Sequence, residues 1–311
     1  MLLRVADHLY WMGRYIERAE NTARAVEAIY PTLPNGAFSA DREWEGLLAM
    51  TGRRDDFVAR NGSPSPAKII RFILFDLENP SSLLASLRAA RENGRSVSAT
   101  LSPEMWESLN TLWLDLREVA AENHLLPGGV LPFIDRFKEG VHLLLGAAHT
   151  TLAEEEVFRL IDLGTFLERA DHIVRTLRAR HSSLLRERGQ EAHYASWVAI
   201  LRSVGALGVY RRVYHDSINP ERITELLILR EEIPCSLHAC LDRINDLLRP
   251  LSGGIGPEAV RVAADLHFLL HNDRTRTILL NSLQEYLIDF AAALRRLGEE
   301  IDKGLRTPTC A

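Results

Sequence analysis

The chain has 311 residues, with 37 Lys+Arg against 42 Asp+Glu, a formal net charge of −5, and 46% hydrophobic residues. This is a soluble globular composition long enough to bury a large core without disulfides, and its charge balance argues against a nucleic-acid binder. Three cysteines, Cys235, Cys240 and Cys310, with no CxxC spacing, argue against a secreted disulfide framework or a zinc ribbon and point to a reducing, cytoplasmic setting. No apolar run approaches the roughly 20 residues of a membrane span. The opening MLLRVADHLYWMGR, interrupted by Arg4, Asp7 and His8, does not read as a signal peptide.

Apolar residues recur at helical spacing through most of the chain, and alternating strand patterns are scarce, so the predicted fold is all-α. In the first predicted helix Leu9, Met12, Ile16, Ala19, Ala23 and Val26 alternate at spacings of three and four, a narrow seam for packing on another helix, with Ala19 allowing close approach. Its polar side carries Arg14, Glu17, Arg18, Glu20, Asn21 and Arg24. Spacing brings Arg14 to Glu17, Glu17 to Asn21 and Glu20 to Arg24 within reach. A loop is expected from Pro31 to Phe38 and another from Gly62 to Pro66. Helix starts are marked where a small polar residue or Gly precedes Pro: Ser65-Pro66, Asn79-Pro80, Ser102-Pro103, Asn219-Pro220 and Gly256-Pro257. Further loops are expected from Pro127 to Pro132 and from Ser252 to Pro257.

Halfway along, the pattern repeats. GRYIERAENTAR (Gly13 to Arg24) aligns with GTFLERADHIVR (Gly164 to Arg175) at an offset of 151 residues. Trp44 then meets Trp197 at 153, and Pro66, Pro80 and Pro103 meet Pro220, Pro234 and Pro257 at 154. The second seam is Leu160, Leu163, Leu167, Ala170, Val174 and Leu177. The expected organisation is two tandem helical-bundle repeats, 1–150 and 151–305, related by a pseudo-twofold, with a tail at 306–311. The second polar face offers Glu168, Arg169, Asp171, His172 and Arg175, but Thr165 answers Arg14 and His172 answers Asn21. The binding candidates are therefore Arg14, Glu17, Arg18, Asn21, Arg24, Glu168, Arg169, His172 and Arg175. They form either a structural ion-pair network or a site where guanidinium forks hold a carboxylate, phosphate or peptide end.

Other constellations are weaker. Glu139 and His142 form one Glu-x-x-His, but the equivalent stretch near Arg295 and Arg296 supplies no second copy for a di-metal site. His267 and His271 share a helix face near Asp265 and Asp273, without the glutamate of a metalloprotease motif. Cys235, near a helix start expected at Pro234, is the only plausible nucleophile by environment, since a helix N-terminus can lower a thiol pKa, but no His or Asn is anchored to it and inert packing is the expected role. Tyr210, Arg211, Arg212 and Tyr214 make a local basic-aromatic cluster. No metal or cofactor is expected.

The stretch LLRVADHLYWMGRYIERAENTAR, with NPSSLLASLRAARENGR (Asn79 to Arg95) and WVAILRSVGALGVYRRVYHDSINPERI (Trp197 to Ile223), resembles the Alpha-E family, bacterial helical domains named for a Glu-Arg (ER) motif. The departures are Leu3 and His8, where that pattern has Ser, and Thr165, where it repeats the Arg. The resemblance implies association with a circularly permuted ATP-grasp protein and with transglutaminase-like peptidases, in a system that makes or modifies a peptide. The expected role is an auxiliary or scaffold protein of an ATP-grasp peptide ligase, without activity of its own and without nucleic-acid or membrane partners. One alternative is an enzyme using the Glu-Arg pairs as acid or base. Another is a metal-binding helical bundle.

Overall fold

The computed structural model describes residues 3–30, 38–121, 129–151, 155–184, 190–215, 217–271 and 273–306. Among them there is no β-strand, and the fold is all-α. The first half runs α1 (Leu3–Ile29), α2 (Phe38–Thr51), α3 (Arg54–Asn61), α4 (Pro66–Ile70) continuing as a π-helical turn (Arg71–Phe75), α5 (Leu83–Ser96), α6 (Pro103–Ala121) and α7 (Val130–Thr151). The second runs α8 (Glu155–Leu184), α9 (Gln190–Ser203), α10 (Leu207–Tyr214), α11 (Pro220–Leu229), α12 (Leu237–Ile255), α13 (Pro257–His271) and α14 (Asp273–Arg306). Helices α10 to α13 begin 153 or 154 residues after α3 to α6.

Four of the five proline signals start helices. Ser65 caps α4 through the Lys68 amide, the Ser102 hydroxyl accepts from Met105, and the Asn219 side chain accepts from the Glu221 and Arg222 amides. Gly256, at a φ of +95° that favours glycine, separates α12 from Pro257. Asn79-Pro80 is the exception. The Asn79 side chain donates to the Phe72 carbonyl at 2.8 Å and accepts from the Ser81 amide at 3.1 Å, stabilising a turn, and α5 starts later under the cap of Ser82. The second half does the same: Ser236, not Pro234, caps α12 through the Ala239 amide at 3.0 Å.

The Gly62 to Pro66 loop is present, with Gly62 at φ +67° closing α3. The other expected loops shrink. Leu131 and Pro132 lie in the first turn of α7, where a proline costs no hydrogen bond. Helix α12 continues through Pro250 to Ile255, so only Gly256 remains of the loop expected from Ser252; packing on α8, α13 and α14 holds that helix past its proline. Phe38 begins α2, while residues 31–37, 127–128 and 307–311, including Cys310, lie outside the described residues.

Both seams are buried throughout, from Leu9 to Val26 and from Leu160 to Leu177. Burying each leucine-sized side chain contributes about 1.5–3 kcal/mol, so the seams set the contact between α1 and α8. Helix α1 also packs on α5, α8 on α12, α5 on α6 and α12 on α13. In addition α2 packs on α8 while α9 packs on α1, so the second helix of each half lies against the long helix of the other. The buried apolar residues of both halves join in one continuous core.

Candidate functional site

The seams carry the Glu-Arg motifs to the contact between α1 and α8, where each meets the other. Arg18 donates from Nε to Glu168 Oε1 and from Nη2 to Oε2, both at 2.8 Å, a bidentate fork on a carboxylate. Arg169 donates in the same way to both oxygens of Glu17, at 2.9 Å each. The in-helix partners expected for Arg14 and Glu17 are thus replaced by partners about 150 residues away. A two-pronged bond across the crossing is stronger than a single exposed contact along one helix. Glu20 and Arg24 do pair within α1, as spacing predicts, and Arg175 pairs with Asp171 at 2.9 Å within α8. The guanidiniums of Arg18 and Arg169 also lie 5.3 and 5.0 Å from the Tyr15 and Phe166 rings, another matched pair of contacts.

The two copies differ in charge. Glu168, completely buried, also accepts from Arg14 Nε and Nη2 at 3.0 and 2.8 Å, and from Arg175 Nη2 at 3.4 Å. Thr165, in the place of a second Arg14, donates to the Ile161 carbonyl of its own helix. Burial opposes ionisation of Glu168, but the Arg18 and Arg14 charges, the Arg18 hydrogen bonds and Arg175 outweigh it and hold the carboxyl well below the usual range. Arg14 is raised despite its burial by Tyr10 and Glu168, and Arg169 chiefly by Glu17. His172, fully buried, is pushed down to about 3 by burial and by the neighbouring Arg175 charge, and is neutral at physiological pH.

Beside Glu168 lies a cavity of about 10 Å³, room for one water, with Arg18, Asn21, Thr51, Ser81, His172 and Arg175 in its wall. Asn21 Nδ2 and His172 Nε2 are buried without a hydrogen-bond partner, whereas Arg175 Nε, also buried, lies 2.9 Å from an Asp171 carboxylate oxygen. Of these, the Asn21 amide is the obligate donor still open to an acceptor oxygen such as a water. Of the candidate residues, Arg18, Asn21, His172 and Arg175 line this cleft. Arg14, Glu17, Glu168 and Arg169 are engaged in the crossing, and Arg24 lies in a separate surface depression with Glu27, Asp135 and Arg202.

The remaining constellations resolve differently. Glu139 and His142 are exposed and join no metal-competent group among the described residues. His267 and His271 meet His238, whose position the spacing of α13 could not reveal, while Asp265 pairs with Arg261. Cys235 precedes α12 rather than lying in its first turn; burial raises its thiol and pushes Cys240 up to about 12. Cys235 is thus not an activated thiol, because loss of water outweighs its nearby arginines. The Tyr210 hydroxyl is internal to the fold, accepting from the Asn219 amide and donating to the Ser217 carbonyl.

Fold and site together define an all-α protein organised on a pair of long helices that exchange Glu-Arg forks. The chain belongs to the Alpha-E family, described as a predicted alpha-helical domain with a conserved ER motif, whose model matches residues 1–304. It is 26% identical over 276 residues to uncharacterized proteins of Mycobacterium bovis and of two strains of Mycobacterium tuberculosis, covering 81% of this chain and 30% of each relative. The chain thus spans under a third of the length of these relatives. No solved structure matches it. Among the described residues no helix is long and apolar enough to cross a membrane.

Proposed function

We propose that this protein is an auxiliary module of a peptide-ligase system, cytoplasmic and inactive on its own, which binds a circularly permuted ATP-grasp protein and a peptide or carboxylate substrate, with room for a single acceptor oxygen in the cleft beside Glu168. A transglutaminase-like peptidase is a second partner in this reading. The observation that carries it is the full engagement of both motif glutamates. Glu17 is bridged on both oxygens by Arg169, and Glu168 by Arg14 and Arg18, which leaves no motif carboxylate free to move a proton. The unpartnered Asn21 amide favours capture of an acceptor over acid–base chemistry. The mycobacterial relatives support a modular role, since this region is a minor part of each longer chain.

The reading includes the two-repeat organisation, 1–150 and 151–305 about a pseudo-twofold, supported by the reciprocal forks and the matched helix starts. The test is co-purification with a circularly permuted ATP-grasp protein from the same genome, followed by ATP hydrolysis with and without this chain. Complex formation, and turnover only in the presence of the partner, is the expected result. Turnover by the isolated chain, lost in Glu17→Gln at unchanged melting temperature, overturns it in favour of an enzyme. Within the complex, Asn21→Leu is expected to fill the cleft and weaken peptide capture while leaving the complex intact.

A further inference from the structure

The structure gathers a second group of ligating side chains, remote in sequence from the Glu-Arg motifs and independent of the reading above. Glu231, in the turn between α11 and α12, meets His238 in the first turn of α12 and His271 at the end of α13. One ligand atom from each lies within 4.8 Å of the others. His238 is buried, whereas Glu231 and His271 are exposed.

The ring nitrogens are already sorted. His238 Nδ1 bonds Asp242 Oδ2 at 3.0 Å, and His271 Nδ1 bonds the His267 carbonyl at 3.1 Å. In the neutral ring, an Nδ1 that donates to oxygen leaves the lone pair on Nε2, the tautomer a metal-binding imidazole takes when a carboxylate or carbonyl orients it. Asp242 also bonds His267 Nε2, and the His267 ring lies 4.1 Å from that of His271, bracing the group from behind.

The helical fold does not require this cluster. At the repeat offset of 154, Glu231, His238, Asp242, His267 and His271 correspond to Leu77, Leu84, Arg88, Trp113 and Arg117, none of them a metal ligand. The same helix packing is thus made in the first half by apolar and basic side chains.

We propose that Glu231, His238 and His271 form a binding site for a divalent transition-metal ion of the zinc type. Two imidazole nitrogens and one carboxylate suit a borderline cation rather than calcium or magnesium, which take oxygen ligands. Tetrahedral ligands at about 2.1 Å from zinc stand about 3.4 Å apart, so the three ligand atoms, within 4.8 Å of one another, must draw together as the ion binds. A bound ion would tie the end of α13 to the start of α12 and stabilise the folded state by mass action.

The test is zinc titration of the full chain after chelation, by calorimetry and thermal melting, with cobalt(II) absorption as a direct reading of ligation. One saturable equivalent, a raised melting temperature and a tetrahedral cobalt spectrum are expected. His271→Ala and Glu231→Gln, both at exposed positions, should weaken binding by about tenfold or more, while His142→Ala leaves it unchanged. Absence of saturable binding, equal binding by His271→Ala, or equal affinity for magnesium overturns the site.

Discussion

Gly13 and Gly164 make the same contact from opposite sides of the α1–α8 crossing. A Cβ built on Gly13 falls 2.1 Å from the Ile161 carbonyl oxygen, and one built on Gly164 falls 2.1 Å from that of Tyr10. Tyr10 and Ile161 are separated by 151 residues, as the glycines are, so the crossing is reciprocal at the backbone as well as at the Glu-Arg forks. The missing side chains let the two backbones touch and bring the forks into range.

Gly13→Ala and Gly164→Ala should therefore each destabilise the protein, by about 1–3 kcal/mol. The helix-propensity gain of about 1 kcal/mol cannot offset a clash with backbone, which has no flexible end to move aside. Gly146→Ala, on an exposed face of α7 with nothing within 4 Å, should gain up to about 1 kcal/mol. Denaturant titration of the three variants checks the difference in sign.

Glu168→Ala should cost about 3–5 kcal/mol, because it strands several guanidiniums around a fully buried position. Glu17→Ala should cost less, about 1–3 kcal/mol, since its one bidentate partner, Arg169, is 30% exposed and can turn to water. Equal losses in thermal melts would mean that the three-arginine arrangement adds nothing.

Stability should fall on acidification before the carboxylates titrate. His172 has a folded pKa of about 3 against 6.5 for the free group, so the unfolded chain takes up its proton first. Its contribution is complete above about pH 6.5 and is lost as the pH falls toward 3. The depressed Glu168 adds a further loss only below the ordinary carboxylate value of 4.5. His172→Asn, which installs the residue found at the matching Asn21, should flatten melting temperature against pH between about 6.5 and 4.5; an unchanged slope contradicts this account.

Cys240 should resist alkylation by iodoacetamide at mildly alkaline pH until the protein unfolds, and Cys235 should react slowly. Both thiols are raised by burial. Site-resolved mass spectrometry checks this, and rapid native labelling of Cys235 would restore it as a candidate nucleophile.

The all-α class, both apolar seams and most of the capped helix starts are legible in the sequence, because these depend on periods of three and four residues and on short-range bonds such as Asn219 to the Arg222 amide. It misplaced the starts of α5 and α12, where Asn79 and Ser236 satisfy turn groups before the helix can begin. The residues of the Glu-Arg network were legible, but their partners were not. Spacing can propose Glu17 for Arg14, and only the packing of α8 on α1 decides that Arg14 reaches Glu168 instead. The same holds for His238 and His271, which lie on different helices, α12 and α13, and for Asn21, His172 and Arg175, which meet in the wall of one cavity. Periodicity says which face of a helix is buried; which residue waits on the facing helix is set by the crossing, here by two glycines that let the backbones meet.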